Sequence, residues 1–195
     1  MMDQMEPAID ELVPAQQVLT REFTKLSRPA RALIHPAQTC GDYLETLVDE
    51  QLLEDALDFI GHALPLRHAI WWGCCCIAAV TPPETLEGKD RKAFAGTCRW
   101  VADPTDRRRE YVHRVTRVVT DVTASILLAR AAGYPNMKLP EPLAALKRNF
   151  KKEGVIAAVN IATLDGDDVD ATRRQFLEIG LDVSRGKTVW HPPQN

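Results

Sequence analysis

The stretch LDFIGHALPLRHAIWWGCCCIAAV, residues 57–80, decides the fold, for it holds two of the four tryptophans and three of the five cysteines. Pro65 interrupts it once, and proline suits the first turn of a helix, where its missing N–H costs nothing. The stretch therefore reads as the end of one helix and the whole of the next, over 65–81. From Ala69 to Val80 no side chain carries a charge or a hydroxyl. A helix apolar all round belongs inside a core. These 12 residues fall short of the roughly 20 that cross a bilayer, so a buried core helix and no membrane are expected.

Upstream, Tyr43, Leu44, Leu47, Val48, Leu52, Leu53, Ala56, Leu57, Ile60 and Leu64 recur at helical spacing. They predict one long helix or two joined near Asp49, with an acidic outer face of Glu45, Asp49, Glu50, Glu54, Asp55 and Asp58. Residues 1–36 carry four prolines and little period, which reads as an extended or partly ordered N-terminal arm with one short helix near 15–26. Downstream, Thr81-Pro82-Pro83 ends the central helix, and Pro83 is expected to start another that runs to about Ala102. Asp103-Pro104-Thr105-Asp106 predicts an Asp N-cap with proline at the first helical position. That helix is expected to bury Val112, Val115, Val118 or Val119, and Val122, to kink or break near Thr120, and to stop at Gly133.

Residues 133–142, with Pro135, Pro140 and Pro142, form a connector and a candidate subdomain joint. Leu143, Leu146, Phe150, Ala157, Ile161 and Leu164 predict the core face of a long amphipathic helix, leaving Lys147, Arg148, Lys151 and Lys152 exposed. Asp165-Gly166-Asp167-Asp168 reads as a turn and cap before a last helix with Phe176, Leu177, Gly180 and Val183, and Trp190 is expected to dock back on the bundle. The fold class is all-α: an irregular bundle of about seven or eight helices around a central helix near 65–81. The domain spans 37–190, after the arm and before a tail of 191–195. Successive helical hairpins with proline-marked joints also suit a short helical solenoid, the alternative architecture.

Hydrophobic residues at 45% and charged residues at 26% are ordinary globular values. The net charge of -3 hides an asymmetry: residues 1–60 hold 12 acids against 4 bases, the remainder 15 against 20. Nucleic-acid binding by the whole protein is not indicated, though the balance leaves room for a local basic face. An odd number of cysteines, three of them consecutive, argues against a disulfide framework and for a reducing cytoplasm. The opening MMDQMEPAIDELVP has neither the basic nor the apolar region of a secretory signal.

The cysteine triplet invites a thiol or metal reading, but successive helical residues differ by about 100°, so Cys74, Cys75 and Cys76 cannot close on one ion. His62 and His68 lack paired-ligand spacing, and no CxxC occurs. Core cysteines are the better account, and no metal or other cofactor is expected. Arg107, Arg114 and Arg117 share a helical face that suits phosphate or an acidic protein surface, while Asp103, Asp106 and Glu110 sit close enough to absorb charge. A calcium loop at Asp165–Asp170 is excluded, because its glycine stands second rather than sixth and position twelve is Phe176. No phosphate loop, dinucleotide fingerprint, GxSxG or HExxH is present.

The tract His62 to Trp72, with the pattern LP-x-R-x-A-x-WW from Leu64, resembles a bacterial family of small helical proteins of unknown function, some encoded beside type VI secretion components. Arg174, Phe176, Leu177, Gly180 and Trp190 look like its closing pattern. The resemblance implies a bacterial cytoplasmic protein and no activity. The expected function is a non-enzymatic adaptor or chaperone-like domain that meets a protein partner, or a second copy, through Glu54, Asp58, Arg67, His68, Arg107, Arg114 and Arg117. One alternative is an enzyme or a small-ligand or metal binder, with a pocket near Trp71, Trp72 and Cys75. The other is nucleic-acid binding through the arginine-rich helix.

Overall fold

Ten α-helices are strung along the computed structural model, which describes residues 14–21, 25–135, 140 and 143–187. They are α1 (Ala15–Arg21), α2 (Arg28–Ala32), α3 (Cys40–Asp49), α4 (Leu53–Ala63), α5 (Leu66–Val80), α6 (Gly88–Ala102), α7 (Asp106–Thr116), α8 (Ala124–Gly133), α9 (Leu143–Ala162) and α10 (Val169–Ser184). Eight of them have ten residues or more; the two short ones, α1 and α2, precede the bundle core. Residues 1–13 of the arm, most of the 133–142 connector, Trp190 and the tail lie outside the described residues.

α5 is the central helix, packed by α6, α8, α9 and α10. Residues 69–77 are all buried, as the uncharged run predicts, but the last turn opens, with Ala79 exposed. The Trp72 indole N–H donates to the Phe176 carbonyl at 2.8 Å, fixing α5 to α10 without leaving a buried polar atom unsatisfied. Gly73 explains itself: a Cβ there would lie 2.6 Å from Leu128 of α8, so the missing side chain lets two helices close together. Contacts of α4 and α5 with α10, far along the chain, are those of a bundle; solenoid repeats touch only their neighbours.

The acidic amphipathic stretch is two helices. Thr39 and Asp42 form a capping box on α3, and α3 ends at a turn in which Gln51 has φ 59°. The first 36 residues contribute Ala15, Val18, Leu26 and Ala30 to the core. Ser27 binds both carboxylate oxygens of Asp55, through its N–H at 2.6 Å and its hydroxyl at 2.8 Å. The Tyr43 hydroxyl donates to the Ala30 carbonyl at 2.7 Å.

Four local expectations are corrected. Pro83 starts only a 3₁₀ turn (Pro83–Thr85), and α6 begins at Gly88, whose φ of 53° reverses the chain. Thr105, not Asp103, caps α7: its hydroxyl accepts from the Arg108 N–H, while Asp103 ends α6. The kink or break expected near Thr120 is a break, since residues 117–123 are not helical; Val119 of the expected pair is buried, but Val122, expected in the core, is exposed. Thr123 then caps α8. The faces of α9 are largely reversed: Val155, Ile156, Ala158, Val159 and Ala162 are buried, whereas Leu143, Leu146, Phe150, Ala157 and Leu164 are exposed and only Ile161 of the expected face packs, half-buried, against the core. Lys152, expected in solvent, is buried and donates to the His62 carbonyl at 2.6 Å.

Candidate functional site

The end of α6 and the start of α7 build a cleft. The last turn of any helix leaves carbonyls without partners; here Arg67 takes two of them, and Arg108 shares the Arg99 carbonyl with the Asp103 N–H. Arg67 donates from Nε to the Val101 carbonyl at 2.8 Å and from Nη2 to that of Ala102 at 3.3 Å. Arg108 donates from Nη1 to the Arg99 carbonyl at 2.8 Å and pairs with the Asp103 carboxylate at 3.1 Å. Cations at a helix C-terminus also answer its dipole. On the floor, a Cβ at Gly96 would lie 3.0 Å from the Tyr111 ring, so glycine lets α7 lie close on α6. The result is a cleft of about 610 Å³ lined by Gly96, Arg99, Asp103, Thr105, Arg107, Arg108, Tyr111 and Arg114.

Its charge is not cancelled. Arg108 takes Asp103, and Arg109 takes Asp106 at 2.9 Å. Arg99, Arg107 and Arg114 are exposed and form no ion pair among the described residues. Three guanidinium groups about one concavity can bind carboxylate or phosphate in a bidentate manner. Tyr111, 39% exposed, adds an aromatic face. Of the sequence candidates, Arg107 and Arg114 line the cleft, but Arg117, at the C-terminal end of α7, does not. Arg99 and Tyr111 were not singled out in the sequence, because only the fold-back at Asp103–Thr105 brings Arg99 beside α7.

The remaining candidates lie elsewhere. Glu54 faces Arg173 of α10 at 3.5 Å, rather than the α7 arginines. Asp58 belongs to a polar seam between α4 and α9, where Glu153 pairs with Lys25 at 3.0 Å and lies 3.5 Å from His62 Nε2. Burial, and then the charges of Glu153, Glu54 and Asp55, push the Asp58 carboxyl up to about 6 against the pull of Lys25. Arg67 is the clamp on α6 just described, and His68 is half-buried on the first turn of α5.

Trp71, Trp72 and Cys75 are buried, and neither they nor His68 line the cleft. They are absent as well from a second concavity of about 320 Å³, where Leu44, Val48, Ile60, Leu177 and Leu181 meet Arg174 and Arg185. Burial raises the thiols of Cys40, Cys74, Cys75 and Cys76 and so disfavours the nucleophilic thiolate. Among the described residues no group of three or more His, Cys, Asp or Glu side chains could hold a metal ion, and no helix is long and apolar enough to cross a membrane.

A sequence profile described as a family of unknown function, DUF6931, matches residues 43–184, which span α3 to α10 and include every wall of the cleft. Neither a curated protein nor a solved structure matches the chain.

Proposed function

The chain belongs to the DUF6931 family of unknown function, and from that premise we propose that it is a non-enzymatic adaptor or chaperone-like module whose α6–α7 cleft captures an acidic segment of a partner protein. The observation that carries this reading is the convergence of Arg99, Arg107 and Arg114 on one concavity, with no carboxylate of the described residues paired to them. Forked guanidinium donors match carboxylates, so an Asp- and Glu-rich peptide fits the cleft's chemistry. Thiols held in the protonated state favour binding over covalent chemistry.

Fluorescence anisotropy with a labelled glutamate-rich peptide tests it. The double variant Arg107→Glu and Arg114→Glu should bind at least about tenfold more weakly, a loss of about 1.4 kcal/mol, and added salt should weaken the wild type. Equal affinity of variant and wild type would overturn the reading. A bacterial cytoplasmic setting beside type VI secretion is part of the proposal and rests on the LP-x-R-x-A-x-WW tract. Affinity capture from the source organism should return secretion components with the wild type and lose them with the double variant.

Tyr111 favours a second reading, single-stranded nucleic acid, because bases stack on aromatic faces beside cations. Tighter binding of an oligonucleotide than of the peptide, lost on Tyr111→Ala, would assign the cleft to nucleic acid instead.

A further inference from the structure

α9 is apolar on two opposite faces. One is the core face described above. On the other, Leu143, Leu146, Phe150 and Leu164 are 50%, 62%, 63% and 70% exposed, the Phe150 ring lying 5.4 Å from that of Tyr134, Ala157 is exposed, and Ile161, at the stripe's edge, is half-buried and also touches the core. At about 100° per residue these positions fall in a stripe about 60° wide, diametrically opposite the buried Val159. It extends about 30 Å along α9 and its 3₁₀ extension, Thr163–Asp165, at about 1.5 Å per residue. Scattered surface hydrophobics need no explanation, but a continuous stripe of this kind marks an interaction site.

The stripe is a palindrome. Read inward from its ends, it sets Leu143 against Leu164, Leu146 against Ile161 and Phe150 against Ala157, all about the bond between Glu153 and Gly154. A two-fold axis at that bond would bring each residue opposite its mate on a second, antiparallel α9, with the bulky Phe150 over the small Ala157. Such self-complementarity is what an isologous interface requires. Charge selects the same direction: Lys147 and Lys151 lie beside the N-terminal half of the stripe, Asp165, Asp167 and Asp168 at its C-terminal end. Antiparallel copies bring opposite charges together, whereas parallel copies bring like charges together.

We propose that the outward face of α9 docks a second copy of this chain, as a two-fold antiparallel helix pair centred at Glu153–Gly154. The surface is separate from the arginine cleft, so each copy of the dimer would keep a cleft of its own.

Sedimentation velocity of the full chain over a concentration series, with cysteine cross-linking, tests the proposal. The wild type should sediment as a dimer. Leu146→Glu, an exposed substitution whose fold is checked by circular dichroism, should weaken dimerisation at least about tenfold. Mild oxidation of mixed Leu146→Cys and Ile161→Cys chains should link the two variants to each other, but neither to itself. Arg107→Glu with Arg114→Glu should leave the dimer intact, separating this result from failure of the cleft reading. A monomer at every concentration, a dimer indifferent to Leu146→Glu, or self-linking of Leu146→Cys would overturn the proposal.

Discussion

Arg107 and Arg108 are neighbours in sequence with different roles. Arg108 holds the Arg99 carbonyl and the Asp103 carboxylate, whereas Arg107 reaches into the cleft with no ion pair among the described residues. Arg108→Ala should therefore destabilise the fold by about 1 kcal/mol, the worth of a charge-assisted helix cap, and Arg107→Ala by less than about 0.5 kcal/mol, as read from urea midpoints. At Asp58 the folded-state pKa of about 6 lies above the ordinary aspartate value of 3.8, so the native state holds the proton more tightly. The group's contribution to stability is complete below the unfolded value and is lost as pH rises through about 6. Asp58→Asn should then stabilise the protein at neutral pH by about 1 kcal/mol after solvent screening, with the gain shrinking towards pH 4, as urea titrations at the two pH values would show. Sequence spacing could place Arg107 and Arg114 on one helix face, because that is local geometry. Nothing local could say that Arg108 is held by the backbone of α6 while Arg99 faces the same cleft.

Helices were legible where one face is apolar and ambiguous where two are. α9 carries an apolar stripe on each side, and its core side includes the buried Asn149 and Lys152, which a hydrophobic pattern discounts. The lysine is tolerated there because its ammonium finds the His62 carbonyl. The sequence-predicted face is consequently the outward one, a reversal that exposes the stripe proposed to dimerise. Caps were read with similar limits: Asp168 caps α10, but the Asp-Pro pair before α7 lost to the Thr105 hydroxyl two residues on. Close helix crossings give a sharper prediction. A Cβ at Gly133 would lie 2.7 Å from the His113 backbone nitrogen, where α8 ends against the main chain of α7. Gly133→Ala should cost about 2 kcal/mol by overpacking, whereas Gly73→Ala, which clashes only with the movable tip of Leu128 and meets Val155 at ordinary contact distance, should recover most of its strain through about 1 kcal/mol of helix propensity. Thermal or urea unfolding of the two variants checks the contrast.

For the molecule as a whole, one uncharged run was enough to locate the central helix, because residues with nothing to offer water must be covered on every side. Which helices cover it was not legible, for the contacts of α5 with α9 and α10 depend on pairings far apart in the chain. The cleft shares that dependence, since Arg67, from the first turn of α5, braces the end of α6 while Arg108 braces it from α7. A surface held from both sides has little to rearrange when a ligand arrives, so encounter rather than reorganisation sets the pace. Association at the cleft should be electrostatically steered and fast, quicker still in dilute salt, while residence time carries whatever selectivity the partner brings.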